Sequence, residues 1–520
     1  MELELAADLE AAAGLSRLKA LTGNRDGRAR TQSLKIVWHD SPERALLADG
    51  LTLAEQRGAW RLERVVPGTH TWLPAQPVPV VQEAADRAAL PGPLAPLAAF
   101  DGRQTSSVHL FGGHPVTVVV AKGVLRAVTA EQPVARIWLR GDEQAVREAV
   151  TQIAETVAVW VPRACLAAEA IALATGRAPA ARHAGAPTLP NHLAHPDTHQ
   201  PDTHPADALA HILGHLTDAI LAQAQTAQRM DADSPEAVHQ MRVAVRRARS
   251  ALAIFRPVVT AGSLDEVGAG LRQLGQLLGP TRDWDVFVDE TVPVIQRAMP
   301  DDDRLNRLIG AAARRRAECQ KALSAYLGSA AFRRLGIELA WFVSAEFWRP
   351  PVALPPVALP PIALPPGALS PVALSPGAVS IAEENPVPSL RDFAGSVLRH
   401  RWKKLLSAGK QIDELDVPGL HRVRLRAKRA RYAAEMFAQL YRGKAAHRFI
   451  RRLSILQQWL GVLNDAAVAT HMLQELGGAG GRHAYATGLV QGFMAARTTT
   501  IRPRIIRSFG KFRRQSAYWT

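Results

Sequence analysis

At 520 residues the chain exceeds what one ordinary hydrophobic core organises, so two or three domains are expected. A composition of 47% hydrophobic and 21% charged residues excludes wholesale disorder. The 63 Lys and Arg against 47 Asp and Glu leave a formal charge of +16, which makes an acidic partner worth seeking once the charge has been located.

From the N-terminus, Met1-Glu-Leu-Glu-Leu has neither the basic start nor the apolar core of a signal peptide, so cytoplasmic residence is the expectation. Strand-like alternation occupies Leu34 to Trp38, Ala59 to Val65, Val116 to Val120 and Ala135 to Leu139. Asp142 to Val159 reads as a helix with Asp142 near its cap, so residues 1–181 form an α+β domain. Residues 182–205 are rich in Pro, Thr, Asp and His, and the irregular spacing of His183, His192, His195, His199 and His204 favours a solvated linker over a metal site. Cys165 and Cys319 stand far apart without a CxxC pair, and read as core thiols of a reducing compartment.

Beyond Pro205 the periodicity is helical, in Ala206 to Met230, Glu236 to Phe255 and Asp303 to Tyr326. Pro350 to Ala382 carries no charge, yet its ten prolines forbid a membrane-spanning helix. Its Pro-Val-Ala-Leu-Pro near-repeats favour an extended spacer, placing an insertion at 349–388 between helical halves at 206–348 and 389–515. Arg502 to Trp519 reads as a basic, aromatic-tipped tail.

The two halves match each other. His239 is followed by Arg242, Arg246, Arg247, Arg249 and Phe255, and His421 at identical offsets by Arg424, Lys428, Arg429, Arg431 and Phe437. Leu278-Gly279 and Asp283 likewise correspond to Leu460-Gly461 and Asp465. At roughly 100° per residue, His239, Arg242, Arg246 and Arg249 share one helical face, while Met241, Val245, Ala248, Leu252 and Phe255 form a separate apolar stripe for a bundle core. The cationic row is therefore expected to look outward. Like charges at this spacing each destabilise a helix by about 0.2–0.5 kcal/mol, and no acid relieves them between Ala237 and Leu264 or between Leu420 and Ala434. A local rule broken twice at matching positions points to a bound anion. Arg451 and Arg452, with His447 and Arg448, extend the positive surface; further groups are Arg314, Arg315, Arg316 and Lys321, and Arg399, Arg401, Lys403 and Lys404. Asp283 and Asp465 read as caps or braces of helix ends rather than as catalytic groups.

These residues, with Leu-Gly-Pro-Thr-Arg-Asp-Trp-Asp-Val at 278–286 and its counterpart at 460–468, resemble the conserved-histidine α-helical domain, or CHAD, family over residues 206–520. The resemblance implies two pseudo-symmetric four-helix bundles that bind inorganic polyphosphate and gather on polyphosphate granules. The binding residues carried over are His239, Arg242, Arg246, Arg247, Arg249, His421, Arg424, Lys428, Arg429 and Arg431, joined by Arg451 and Arg452. Residues 1–181 resemble a degenerate CYTH, or triphosphate-tunnel, domain through Glu2 and Glu4, Trp38-His39-Asp40-Ser41-Pro42, Gly50-Leu51-Thr52-Leu53 and Gly58-Ala59-Trp60-Arg61-Leu62. Ala6 stands where that family's opening motif has Lys, and Leu53-Ala54-Glu55-Gln56 replaces alternating cations. The expectation is thus a non-catalytic binder without cofactor or metal, whose partners are polyphosphate and granule-associated proteins. Metal-dependent triphosphate hydrolysis and nucleic-acid binding remain the alternatives; the basic helices lack interleaved aromatics for base stacking, which disfavours the second.

Overall fold

A computed structural model describes residues 2–15, 25–65, 76–77, 93–162, 164–176, 189, 204–259, 264–344, 388–441, 443–477 and 480–519. The Pro-rich insertion, apart from Pro388, and His183, His192, His195 and His199 lie outside them.

The N-terminal region is an antiparallel sheet followed by helices. Its strands are β1 Glu2–Ala7, β2 Arg25–Asp40, β3 Leu51–Gln56, β4 Ala59–Arg64, β5 Gln76–Pro77, β6 Ala95–Phe111, β7 His114–Ala127, β8 Glu131–Gly141 and β9 Val159–Trp160, in the order β5-β4-β3-β2-β6-β7-β8-β1-β9. The four expected strands fall on β2, β4, β7 and β8, with only Val65 running past the end of β4. β1, β3, β6 and the two-residue β5 and β9 were missed; β1 is buried on both faces and β6 is interrupted by Asp101-Gly102-Arg103. Gly102 pairs with Gly123 of β7, and a Cβ on either would strike the opposite backbone, so the two long strands close up only with glycine there.

Short helices α1 (Leu9–Gly14) and α2 (Ala45–Ala48) sit between strands, and two longer helices cover the two faces of the sheet. α3 (Glu143–Thr156) starts where the Asp142 carboxylate accepts the N–H groups of Gln144 and Ala145 at 3.0 and 3.2 Å, and it ends before Val159, which belongs to β9. Its Val146, Val150 and Ile153 pack on the face bearing Leu3, Leu5, Ile137 and Leu139. α4 (Leu166–Thr175) covers the opposite face, against Leu34, Trp38, Phe100 and Leu125.

The described residues from Pro205 on are mainly helical: α5 Pro205–Arg229, α6 Ser234–Phe255, α7 Asp265–Val286, α8 Val292–Ala298, α9 Asp303–Leu327 and α10 Ala330–Ser344, then α11 Leu390–Ala408, α12 Val417–Phe437, α13 Ala445–Glu475, α14 Ala484–Thr499 and α15 Arg502–Arg513. The two sets join through apolar contacts in two places. Phe255 closes α6 and meets Phe393 and Phe437 at 5.1 and 5.8 Å between ring centroids, while Trp284, Phe287 and Leu308 share a separate core with Met472, Leu473 and Val490.

Two expectations change here. The 182–205 segment is anchored where it is described: Leu189 is buried in the main core, and the His204 Nδ1 accepts the Ala206 N–H at 3.0 Å to cap α5. Arg502 to Trp519 is no loose tail, because Tyr518 and Trp519 pack edge-on against Phe449 and complete that core. Of the two thiols, Cys165 is buried, which pushes it up to about 12, and Cys319 is partly buried. Among the described residues, no helix is long and apolar enough to cross a membrane.

Candidate functional site

Both basic helices owe their orientation to their apolar stripes. On α6, Met241, Val245, Ala248, Leu252 and Phe255 are all buried; on α12, the Asp416 carboxylate caps the first turn through the Gly419 N–H at 2.7 Å, and Leu420, Val423, Ala427, Ala430, Ala434 and Phe437 are buried. With those stripes fixed in the core, one flank of each helix faces the other helix. The facing flanks carry the cations.

Arg246 and Arg247 of α6 reach the Tyr432 ring of α12, with guanidinium carbons 5.3 and 5.7 Å from its centroid. Arg247 pairs with Glu435 at 2.9 Å, and Arg431 shares that carboxylate at 3.3 Å. Arg242 donates to Asp283 at 2.7 Å and to the Gly279 carbonyl at 2.8 Å, both on α7. At the corresponding place on α12, Arg424 donates to the Asn464 side-chain oxygen of α13 at 2.8 Å.

The electrostatics of this seam are strained. Burial pushes the Lys428 ammonium down to about 7, and Arg424, Arg246 and Arg242 push the same way against Asp465. Arg246 is held below the usual guanidinium range by burial and by Arg242, Arg431 and Arg247. His239 is lowered by burial and then by Arg282, with Arg246 and Arg242 adding to the effect and Glu236 opposing it. Among the buried polar atoms here without a hydrogen-bond partner among the described residues are the Nε of Arg246, the Nε of Arg247, the Nε of Arg424 and the Tyr432 hydroxyl. Unmet donors cost about 1–3 kcal/mol each, so an anion accepting from them would relieve strain already present.

The structure thus brings His239, Arg242, Arg246, Arg247, Arg424, Lys428 and Arg431 together, but the outward-facing row is not what forms. All seven are half-buried in the seam, whereas Arg249, His421 and Arg429 are exposed. Nor is the row unrelieved: its acids come from other helices, Asp283 for Arg242 and Glu435 for Arg247. Asp283, in the last turn of α7, braces Arg242, whereas Asp465 lies well inside α13 rather than at a helix end. Arg452 is spent on the Lys511 carbonyl of α15 at 2.9 Å, and Arg451 is exposed on α13. Sequence reasoning missed Tyr432, Glu435 and Asn464. Glu435 was within reach, since Arg424, Lys428, Arg431 and Glu435 follow at four, three and four residues and share a face.

A second charged cluster lies within the sheet. Glu4 is buried and accepts from Arg136 Nε at 3.1 Å and from the Leu166 N–H at 2.9 Å, while Glu169 closes on Arg136 from α4. Burial pushes Glu4 up to about 7 although Arg136 opposes it. Glu63, also buried, accepts from Trp38 Nε1 at 3.3 Å and from Arg61 at 2.9 Å. Carboxylates that a metal would need are therefore already engaged by cations and N–H groups. Arg136→Met is expected to cost about 3–5 kcal/mol in urea denaturation, because it strands a buried carboxylate. Arg140→Met breaks only the half-exposed pair with Glu2 and should cost less than about 1 kcal/mol. Equal, small losses would show that the Glu4 pair is not held as described.

A family model described as "CHAD domain" matches residues 211–474, just over half of the chain. Among solved structures, the chain is similar to the CHAD domain from the plant Ricinus communis, at 26% identity over 65% of this chain and 99% of that one, with a TM-score of 0.48. It is also similar to PptA from Streptomyces chartreusis, at 17% identity over 59% of this chain and 100% of that one, with a TM-score of 0.40. No curated protein matches. The family match spans α6, α12 and both counterpart segments of α7 and α13, and on that ground the chain belongs to the CHAD domain family.

Proposed function

We propose that the helical region binds inorganic polyphosphate in the seam between α6 and α12, without covalent chemistry, and so carries the protein to polyphosphate granules. The observation behind this reading is the crowding of Arg242, Arg246, Arg424 and Lys428 around donors left without acceptors. Phosphate oxygens are strong acceptors at every unit of such a chain, and guanidinium groups recognise them by charge-assisted hydrogen bonds. In this reading the two helix sets are pseudo-symmetric four-helix bundles with the twin basic helices at their junction. The 182-residue offset between matching positions supports that pairing.

The N-terminal sheet is read as a degenerate CYTH-like domain that has lost triphosphate turnover. In support, Arg136 occupies Glu4, and α4 packs over the face that carries it. Competition separates the polyphosphate reading from nucleic-acid binding. Polyphosphate is expected to displace single-stranded DNA or RNA from the full chain at equal phosphate concentration, and affinity should fall steeply between 50 and 200 mM salt, by about 10³ or more if six phosphates are neutralised. Displacement in the reverse direction would reject the assignment.

A further inference from the structure

Helices α9 and α14 begin side by side and begin differently. The Asp302 carboxylate accepts the N–H groups of Arg304 and Leu305 at 2.8 and 3.2 Å and so caps α9. At the 182-residue offset Ala484 stands where α9 has Asp302, and no side chain caps α14. The Ala484 and Thr487 N–H groups turn back onto the Gly481 and His483 carbonyls at 2.9 and 2.8 Å, while those of Tyr485 and Ala486 have no backbone acceptor among the described residues.

A bare helix start facing water is ordinary; this one has buried, unmet side chains at its mouth. His483, at the cap position, is 6% exposed, and neither ring nitrogen has a hydrogen-bond partner among the described residues. The Thr487 hydroxyl, one turn along on a side chain tilted back toward the helix start, is fully buried and equally unmet. Burial first, then Arg482 beside it and Arg307 and Arg314 of α9, hold the His483 imidazole below its usual range. All three arginines are exposed, and none has an ion pair among the described residues.

The fold holds these groups together. Arg304, paired with Asp302, lies 3.5 Å over the Tyr485 ring and pins the two helix starts to each other, and behind them Ala486 and Val490 share a core with Leu305, Leu308 and Ala312. The Arg314 guanidinium folds back over Gly310, toward Arg307. Ahead of α14 the chain turns tightly at Gly477, with φ +105°, and at Gly481, where a Cβ would lie 2.9 Å from the Gly477 carbonyl oxygen. A glycine turn running into a helix leaves backbone N–H groups bare where the helix dipole favours negative charge.

We propose that the α9–α14 junction is a binding site for inorganic phosphate, separate from the α6–α12 seam and independent of what the seam binds. Arg307, Arg314 and Arg482 supply the charge, the Tyr485 and Ala486 N–H groups the direction, and His483 and Thr487 meet the oxygen that faces inward. The anion does for α14 what Asp302 does for α9, except that it can leave.

The test uses the full chain and inorganic phosphate, measured by equilibrium dialysis at constant ionic strength in potassium chloride. Phosphate is expected to bind to the seam variant Arg246→Ala/Lys428→Ala, and adding Arg307→Ala/Arg314→Ala to that parent should weaken it by about tenfold or more. Ala484→Asp in the same parent gives α14 the cap that α9 has. It should abolish phosphate binding and raise the thermal midpoint in phosphate-free buffer by about 1–3 °C. The proposal is overturned if the seam variant binds no phosphate, or if either further change leaves phosphate affinity within about twofold of that parent. Should Ala484→Asp fail to fold, the arginine pair, exposed and outside any core, decides alone.

Discussion

Changing Arg242, Arg246, Arg424 and Lys428 together to Ala is expected to weaken polyphosphate binding by at least a hundredfold while the chain stays folded. A hydrogen bond to a charged group contributes about 1.5–3 kcal/mol, and tenfold in affinity corresponds to about 1.4 kcal/mol, so two lost contacts already reach that figure. The four are not equal. Arg242 is committed to Asp283 and the Gly279 carbonyl, whereas the Arg246 Nε has no partner, so Arg246→Ala alone should cost more than Arg242→Ala. Folding should survive because both apolar stripes are untouched and removal of crowded cations lowers repulsion. Titration calorimetry or fluorescence anisotropy with labelled polyphosphate reads the effect. Affinity within threefold of wild type in a folded quadruple variant would sink the seam as the binding site.

The pH dependence should be carried by a lysine. Free Lys428 is held at about 7 against an ordinary 10.5, and a phosphate oxygen beside it restores the ammonium, so binding takes up a proton above neutrality. Polyphosphate affinity is therefore expected to fall by up to about tenfold per pH unit from pH 7 towards pH 10, and Lys428→Arg should flatten that limb. His239, already lowered by burial and Arg282, adds a smaller gain on the acid side. Stability without ligand runs the other way. Between pH 7 and 10.5 the unfolded chain holds the Lys428 proton and the folded one has shed it, so stability contributed by this group rises with pH across that window. An affinity independent of pH from 7 to 10 would mean that Lys428 does not touch the ligand.

What could be read in advance depended on whether the cause lay close in the chain. The stripe of Met241, Val245, Ala248, Leu252 and Phe255 is a local pattern, and it fixed which way α6 turns. The duplicated spacing likewise singled out two helices far apart in sequence that do meet. The partners of the α6 charges were illegible, because Asp283 lies 41 residues beyond Arg242, and Glu435, readable on α12 as a partner of Arg431, reaches Arg247 from the other helix set. A gap without acids along one helix says nothing about acids across from it. The same limit hid the burial of both faces of β1, whose alternation of Leu3 and Leu5 with Glu4 looks half-polar until Arg136 of β8 and the Leu166 N–H are brought to that carboxylate.

α10 lies between the sheet and the other helices, facing α3 and β9 on one side and α5 and α7 on the other. Leu335, Leu339, Phe342 and Val343 are buried in a single core that also contains Val146, Leu209 and Leu271, and Arg147 bolts the contact through Glu338 at 2.9 Å. Excising the sheet would therefore strip one wall from that core and leave greasy surface facing water. The sheet is thus also masonry for the helices.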